Sequence, residues 1–172
     1  MKILRKSLPY ILMIWPYLFM VITPFSDQEE LANALLLGYC CLTLVVYGAN
    51  IWNAITYRYD DALKKLAFWD MLIKLVHIPF YIFVFIMGVV SLFAMVVPAL
   101  ILVSPFIIIC LVIIDFLLML TSSTYGICGS VKLMKSGNIP KFAMILNIVL
   151  HVFFCVDIVS AIYLFIKSRK KN

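Results

Sequence analysis

Residues 75–114 read LVHIPFYIFVFIMGVVSLFAMVVPALILVSPFIIICLVII, forty consecutive positions without a formal charge. A helix crosses the hydrocarbon of a bilayer in about 20 residues at 1.5 Å each. Past Asp115 the apolar stretch continues to about Tyr125, which would make a single helix of about 75 Å. The chain must therefore turn back on itself, and Pro98 and Pro105 mark the place.

The charges on either side set the remaining spans. The 172 residues carry fourteen Lys or Arg and eight Asp or Glu. Twenty of these fall in five clusters: Lys2/Arg5/Lys6, Asp27/Glu29/Glu30, Arg58 to Lys74, Lys132/Lys135/Lys141 and Lys167 to Lys171. Between them lie apolar runs at 7–26 and 31–57, and a last one at 142–166. Hydrophobic residues make up 66% of the chain and charged residues 13%, against roughly 45–50% and 25% in a soluble domain. A chain this short cannot bury so much apolar surface in one core, which excludes a soluble globular enzyme. The runs are apolar at both odd and even positions, which excludes a membrane barrel. The expected fold is all-α: one membrane domain over 1–172, a polytopic bundle of five transmembrane helices at about 8–25, 31–56, 75–97, 100–124 and 142–166. A short cytoplasmic interfacial helix at 58–74 is expected from the i,i+4 pairs Asp60/Lys64, Asp61/Lys65 and Asp70/Lys74, with Trp69 as its interface anchor. Cleavage of residues 1–25 as a signal peptide is not expected, because Ile22-Thr23-Pro24-Phe25 offers no small-residue site.

Five crossings leave the charge rule in conflict. Lys and Arg near span ends favour the cytoplasm. The N-terminus, the 58–74 segment and the 132–141 loop then lie inside, but the basic tail falls outside. A half-inserted hairpin around 97–105 would keep the tail inside and move the 132–141 loop out.

Asp115 and Asp157 lie within apolar runs. A charge inside a membrane costs several kcal/mol, on the order of 3 on insertion scales, and such groups normally turn toward protein or water. On opposed helices Asp115 and His151 fall at nearly the same depth. An Asp115–His151 contact is expected, and the two could share a proton. In a continuous helix Asp157 lies about 120° from His151, so one compact site holding all three is not expected. Asn147 shares the His151 stripe and Ser122 the Asp115 face, while Thr121, Ser123 and Thr124 are expected to bond back to their own helix. Two further polar stripes should face the bundle interior: Tyr39, Thr43, Tyr47, Asn50 and Tyr57, and then Asp70, Lys74, His77 and Tyr81. His77 is expected to be hydrated near the cytoplasmic interface. Helix packing accounts for these stripes as well as a polar pathway does.

Five cysteines, Cys40, Cys41, Cys110, Cys128 and Cys155, read as small hydrophobes. No zinc spacing, phosphate loop or dinucleotide fingerprint is present, and neither cofactor nor metal is expected. The segment Asp115-Phe116-Leu117-Leu118-Met119-Leu120-Thr121-Ser122-Ser123-Thr124-Tyr125-Gly126 resembles a D-x-L-L-x-L-x-S-S-x-Y-G pattern of small uncharacterised multi-pass membrane proteins of bacteria. The resemblance implies a plasma membrane location and no particular activity.

Three functions are compatible with this sequence. The first is a non-enzymatic accessory, assembly or scaffold subunit, with the lipid bilayer and either a second copy or another membrane protein as partners, and no nucleic acid. The second is a small oligomeric proton- or cation-coupled transporter or channel using Asp115 and His151. The third is an intramembrane enzyme. For that the His151/Cys155 pair at i,i+4 is the one candidate, and it has no evident oxyanion donor.

Overall fold

The computed structural model describes residues 2–22, 29–57, 62–151, 153 and 156–169. These form six helices: α1 (Lys2–Ile22), α2 (Glu29–Ile55), α3 (Ala62–Ala94), α4 (Val103–Lys135), α5 (Lys141–Leu150) and α6 (Val156–Arg169). No strand occurs among the described residues. Three stretches are long and apolar enough to cross a membrane: Asn33–Ile55, Leu63–Ala94 and Val103–Lys135.

Polarity is arranged inside out. Asn50, Asn53, Asp70, Lys74, His77, Ser122, Ser123, Asn147, His151 and Asp157 are buried. Phe85, Phe93, Val96, Leu102 and Phe106 stand exposed, Val96 to 82%. A soluble protein does the reverse. Small and polar residues on helix interfaces are what a lipid-facing bundle needs, because apolar side chains gain nothing by leaving lipid for each other.

The expected interfacial helix at 58–74 does not exist as a separate element. Its described residues run without a break into the third span, as one helix of 33 residues. Nothing between Lys74 and Leu75 breaks it, and Asp70 and Lys74 face the bundle interior rather than water. The pairs of Asp60 and Asp61 and the acidic segment at 23–28 lie outside the described residues. The fourth helix continues eleven residues past the expected end at 124, to Lys135. An apolar turn at 95–102 joins α3 to α4, giving two full antiparallel helices rather than a half-inserted segment.

A short hairpin lies elsewhere, and it overturns the expectation of one helix over 142–166. α5 and α6 run antiparallel. Ala143 and Met144 share an apolar cluster with Leu164 at the open end. Asn147 bonds Ser160 in the middle. His151 meets Asp157 at the tip, Nδ1 to Oδ1 2.6 Å. The ten residues of α5 are about 15 Å long, half of a bilayer core.

This reversal brings the basic residues of α5 and α6 to the same end of the bundle as those of α1, α3 and α4. Asn53 Nδ2 donates to the Arg5 carbonyl, Tyr10 packs edge-on against Trp69 at 4.8 Å, and Lys132 donates to the Tyr57 carbonyl. These contacts put the start of α1, the end of α2, the start of α3 and the end of α4 at one end of the bundle. The open end of the α5–α6 hairpin joins them. Every described Lys and Arg except Lys74 belongs to this basic end. Glu30, in the first turn of α2, lies at the other end.

Candidate functional site

Each proline inside α1 removes one helical N–H and leaves a carbonyl four residues earlier without its usual partner. Pro9 frees the carbonyl of Arg5, and Pro16 that of Leu12. Both are taken up by side chains from other helices. Asn53 of α2 donates to the first at 3.0 Å, and His77 Nε2 of α3 to the second at 3.1 Å. Since a carbonyl only accepts, His77 carries its proton on Nε2. His77 is fully buried, which corrects the expectation that it is hydrated; its task is to close a backbone gap where no water serves. Tyr125 of α4 extends the same system. Its hydroxyl donates to Asn50 Oδ1 at 2.9 Å and accepts from Asn53 Nδ2 at 3.3 Å. Near the far end of α1, Trp15 Nε1 donates to Thr43, and Tyr39 stacks on the Trp15 ring at 5.3 Å. Tyr39, Thr43, Tyr47, Asn50 and Tyr57 thus all turn inward, Tyr39 and Thr43 partly buried and the others fully.

The ionisable residues gather one layer further in. Lys74 of α3 sits at the centre, 1% exposed. Its Nζ lies 2.8 Å from Asp70 Oδ1, one turn earlier on the same helix, and it is also ion-paired to Asp157 Oδ1 of α6. His151 Nδ1, at the end of α5, lies 2.8 Å from the same Nζ. On the other edge of the ring, Nε2 faces Asp70 Oδ2 at 3.7 Å, too far for a hydrogen bond. Ser123 of α4 donates to the His151 carbonyl at 3.0 Å and reaches both Asp157 oxygens at 3.4 Å.

Several devices hold this group together. The helix ends at the hairpin tip favour these charges: Asp157 lies in the first turn of α6, where backbone N–H groups point, and the His151 ring lies at the carbonyl end of α5. Gly126 lets α4 come close. A methyl there would overlap the His151 ring and the Asp70 carboxylate. Gly129 does the same one turn on, where a methyl would meet Leu164 at 3.1 Å. Asn147 ties the hairpin to α4, donating to Ser130 Oγ at 2.7 Å while it accepts from Ser160.

The expected Asp115–His151 contact is absent. His151 is occupied by Lys74 and Asp157, so the acid that joins it is Asp157, which was expected to lie apart, and not Asp115. A continuous helix would have kept the two 120° apart; the reversal of direction between α5 and α6 brings them together. Asp115 is half-buried on α4, close enough to the Tyr47 and Tyr81 hydroxyls to interact electrostatically. Its Oδ1 has no hydrogen-bond partner among the described residues. Tyr81 is partly buried and packs edge-on against His77 at 6.1 Å. Ser122 is buried but bonds back to Met119. Thr121 and Thr124 bond back as expected, whereas Ser123 does not. Cys155, and with it any pair with His151, lies outside the described residues.

Asp70, Ser123 and Gly126 are the members that reasoning from sequence passed over as site residues. A signal for two of them existed. Ser123, Gly126 and Ser130 recur every three or four residues, with Gly129 beside the last, and mark the face along which α4 can be approached closely.

No curated protein and no solved structure matches the chain. Residues 7–170 match a family of unknown function, DUF6652. That match takes in all the residues of the charged group and the whole hairpin that carries it, and on this extent the chain belongs to that family.

Proposed function

We propose that this protein is an integral membrane protein that couples proton movement to transport, with the group at the hairpin tip as its working site. The observation that carries the reading is the charge sum of Asp70, Lys74, His151 and Asp157. All four side chains are almost fully buried. Two carboxylates and one ammonium leave one negative charge, which a second proton on His151 brings to zero. Unbalanced charge is costly away from water, and a second proton on His151 is what makes the group neutral.

His151 Nδ1 cannot serve both of its close neighbours at once. Protonated, it donates to Asp157 and has no lone pair for Lys74. Deprotonated, it accepts from Lys74 and faces a carboxylate oxygen at 2.6 Å. Loss of the proton therefore moves the Nδ1 bond from Asp157, within the tip, to Lys74 of α3, and its return reverses the exchange. A half-inserted hairpin held by a titratable contact is a two-state element of the kind coupled transport requires.

The topology of this proposal is four crossings by α1 to α4 with α5–α6 entering and leaving from the cytoplasm, in the plasma membrane. Both termini and the basic end then lie inside, in keeping with the distribution of Lys and Arg. Proton flux into proteoliposomes, followed with an entrapped pH-sensitive dye, tests the reading. His151→Gln and Asp157→Asn are expected to abolish the flux, and Asp115→Asn to leave it at the parental level. A parent without flux overturns the proposal.

A second reading, an accessory or scaffold subunit, draws on the bare apolar sides of residues 85–117, where only Ser91 and Ser104 are buried. Recovery of a stoichiometric membrane partner that protects this segment from labelling would favour it.

A further inference from the structure

The basic end holds a groove of about 440 Å³ between α3 and α6, lined by Lys64, Lys65, Phe68, Phe165 and Arg169. Among the described residues no acid lines it. It does not involve the buried charged group, and nothing said of that group depends on it. Its construction follows from helical spacing. Lys64 and Phe68 lie one turn apart on α3, as do Phe165 and Arg169 on α6. The two rings meet at 6.1 Å and form the floor. The Arg169 guanidinium lies 4.7 Å from the Phe165 ring centre, within the range of a cation–π contact. The cations stand around this aromatic floor at the mouth of the groove.

The geometry points to a binding site for the phosphate headgroup of an anionic phospholipid. Three things select that occupant. The cations offer donors suited to a phosphate, with Arg169 able to engage two oxygens at once. The floor is apolar, which suits a glycerol backbone rather than a freely hydrated ion. The surface beyond it is apolar too: Val159, Ile162 and Ile166 of α6 are exposed and would lie along acyl chains. A basic pocket between helices on the cytoplasmic side is where anionic lipid is attracted most strongly. A lipid seated there would bridge α3 and α6 at the open end of the hairpin and so hold its base while the tip responds to protons.

Native mass spectrometry of the full chain, released from detergent with added lipid, reads this directly. Phosphatidylglycerol and phosphatidylcholine with the same acyl chains are the two probes, and inorganic phosphate is the competitor. Phosphatidylglycerol is expected to bind in preference. Lys64→Gln and Arg169→Gln should each reduce that preference roughly fivefold, with the double variant near parity. Lys135→Gln, which removes an exposed cation of the same end outside the groove, should leave it unchanged. Equal binding of the two lipids overturns the site. So does an equal loss in Lys135→Gln, which would mean general attraction to a basic face. Full displacement by inorganic phosphate would mean a free-anion site and also overturns the assignment to lipid.

Discussion

The two halves of the α3–α4 hairpin are made from the same pair of helices and behave differently. Near the basic end, residues 62–81 and 118–135 carry Asp70, Lys74, His77, Ser122, Ser123, Gly126 and Gly129, and α1, α2, α5 and α6 all pack against them. Toward the turn, residues 82–117 carry Phe, Ile, Val and Leu, and only Val84, Ser91 and Ser104 are buried. The more hydrophobic half is the one left bare. In water that would be a contradiction; in lipid it follows, because apolar side chains gain nothing by meeting one another, while polar atoms and small residues do. Helix association in this protein is therefore set by polar atoms that must be satisfied and by glycines that let helices approach.

The largest test of that contrast is Lys74→Met. It leaves Asp70 and Asp157 buried without their cation and should destabilise the chain by about 3–5 kcal/mol, read as a loss of protease resistance in mild detergent. Phe106→Ala in the bare half should change it by no more than about 0.5 kcal/mol. Equal effects would break the comparison.

Glycines provide the next. Gly126→Ala should cost about 1–3 kcal/mol by forcing the His151 ring and Asp70 apart. Gly88→Ala, with nothing within 4 Å of the new methyl, should be neutral or stabilising by up to about 1 kcal/mol through helix propensity. Thermal unfolding of the two variants decides this.

The prolines sharpen it further. His77→Ala leaves the Leu12 carbonyl unsatisfied and should cost about 1–3 kcal/mol. In the double variant with Pro16→Ala, the new N–H at residue 16 can take that carbonyl, so the cost of His77→Ala should fall. A double-mutant cycle should return a coupling of about 1 kcal/mol; no coupling would mean that His77 does not serve that carbonyl.

The smallest expected effect is that of Asp115→Asn, within about 0.5 kcal/mol, since Asp115 has neither ion pair nor hydrogen bond to lose among the described residues. A loss as large as that of Lys74→Met would place Asp115 back in the working site.

Much of the helical layout was legible because charge and apolar length act locally. The run at 75–114 does fold back near Pro98, and the polar stripes of α2 and α3 do turn inward. The site was legible only in part. Lys74, Asn147, His151 and Asp157 were flagged, but His151 was matched with the wrong acid. That error came from treating 142–166 as one helix, in which periodicity separates His151 from Asp157. Residues 141–169 contain neither Pro nor Gly to announce a reversal. Asp70 and Lys74 read both as an interfacial pair and as part of an inward stripe, because i,i+4 spacing favours an ion pair equally at an interface and in an interior.

The sequence alone determined the solvent. Its apolar length and clustered charge have no other stable arrangement, since transfer free energy depends on composition within each segment. Tertiary structure decided which polar groups meet. Only when α3 and α4 present Lys74, Ser123 and Gly126 at one level does a tip bearing His151 and Asp157 have somewhere to dock, and that docking is a long-range contact which no local pattern between α5 and α6 announces.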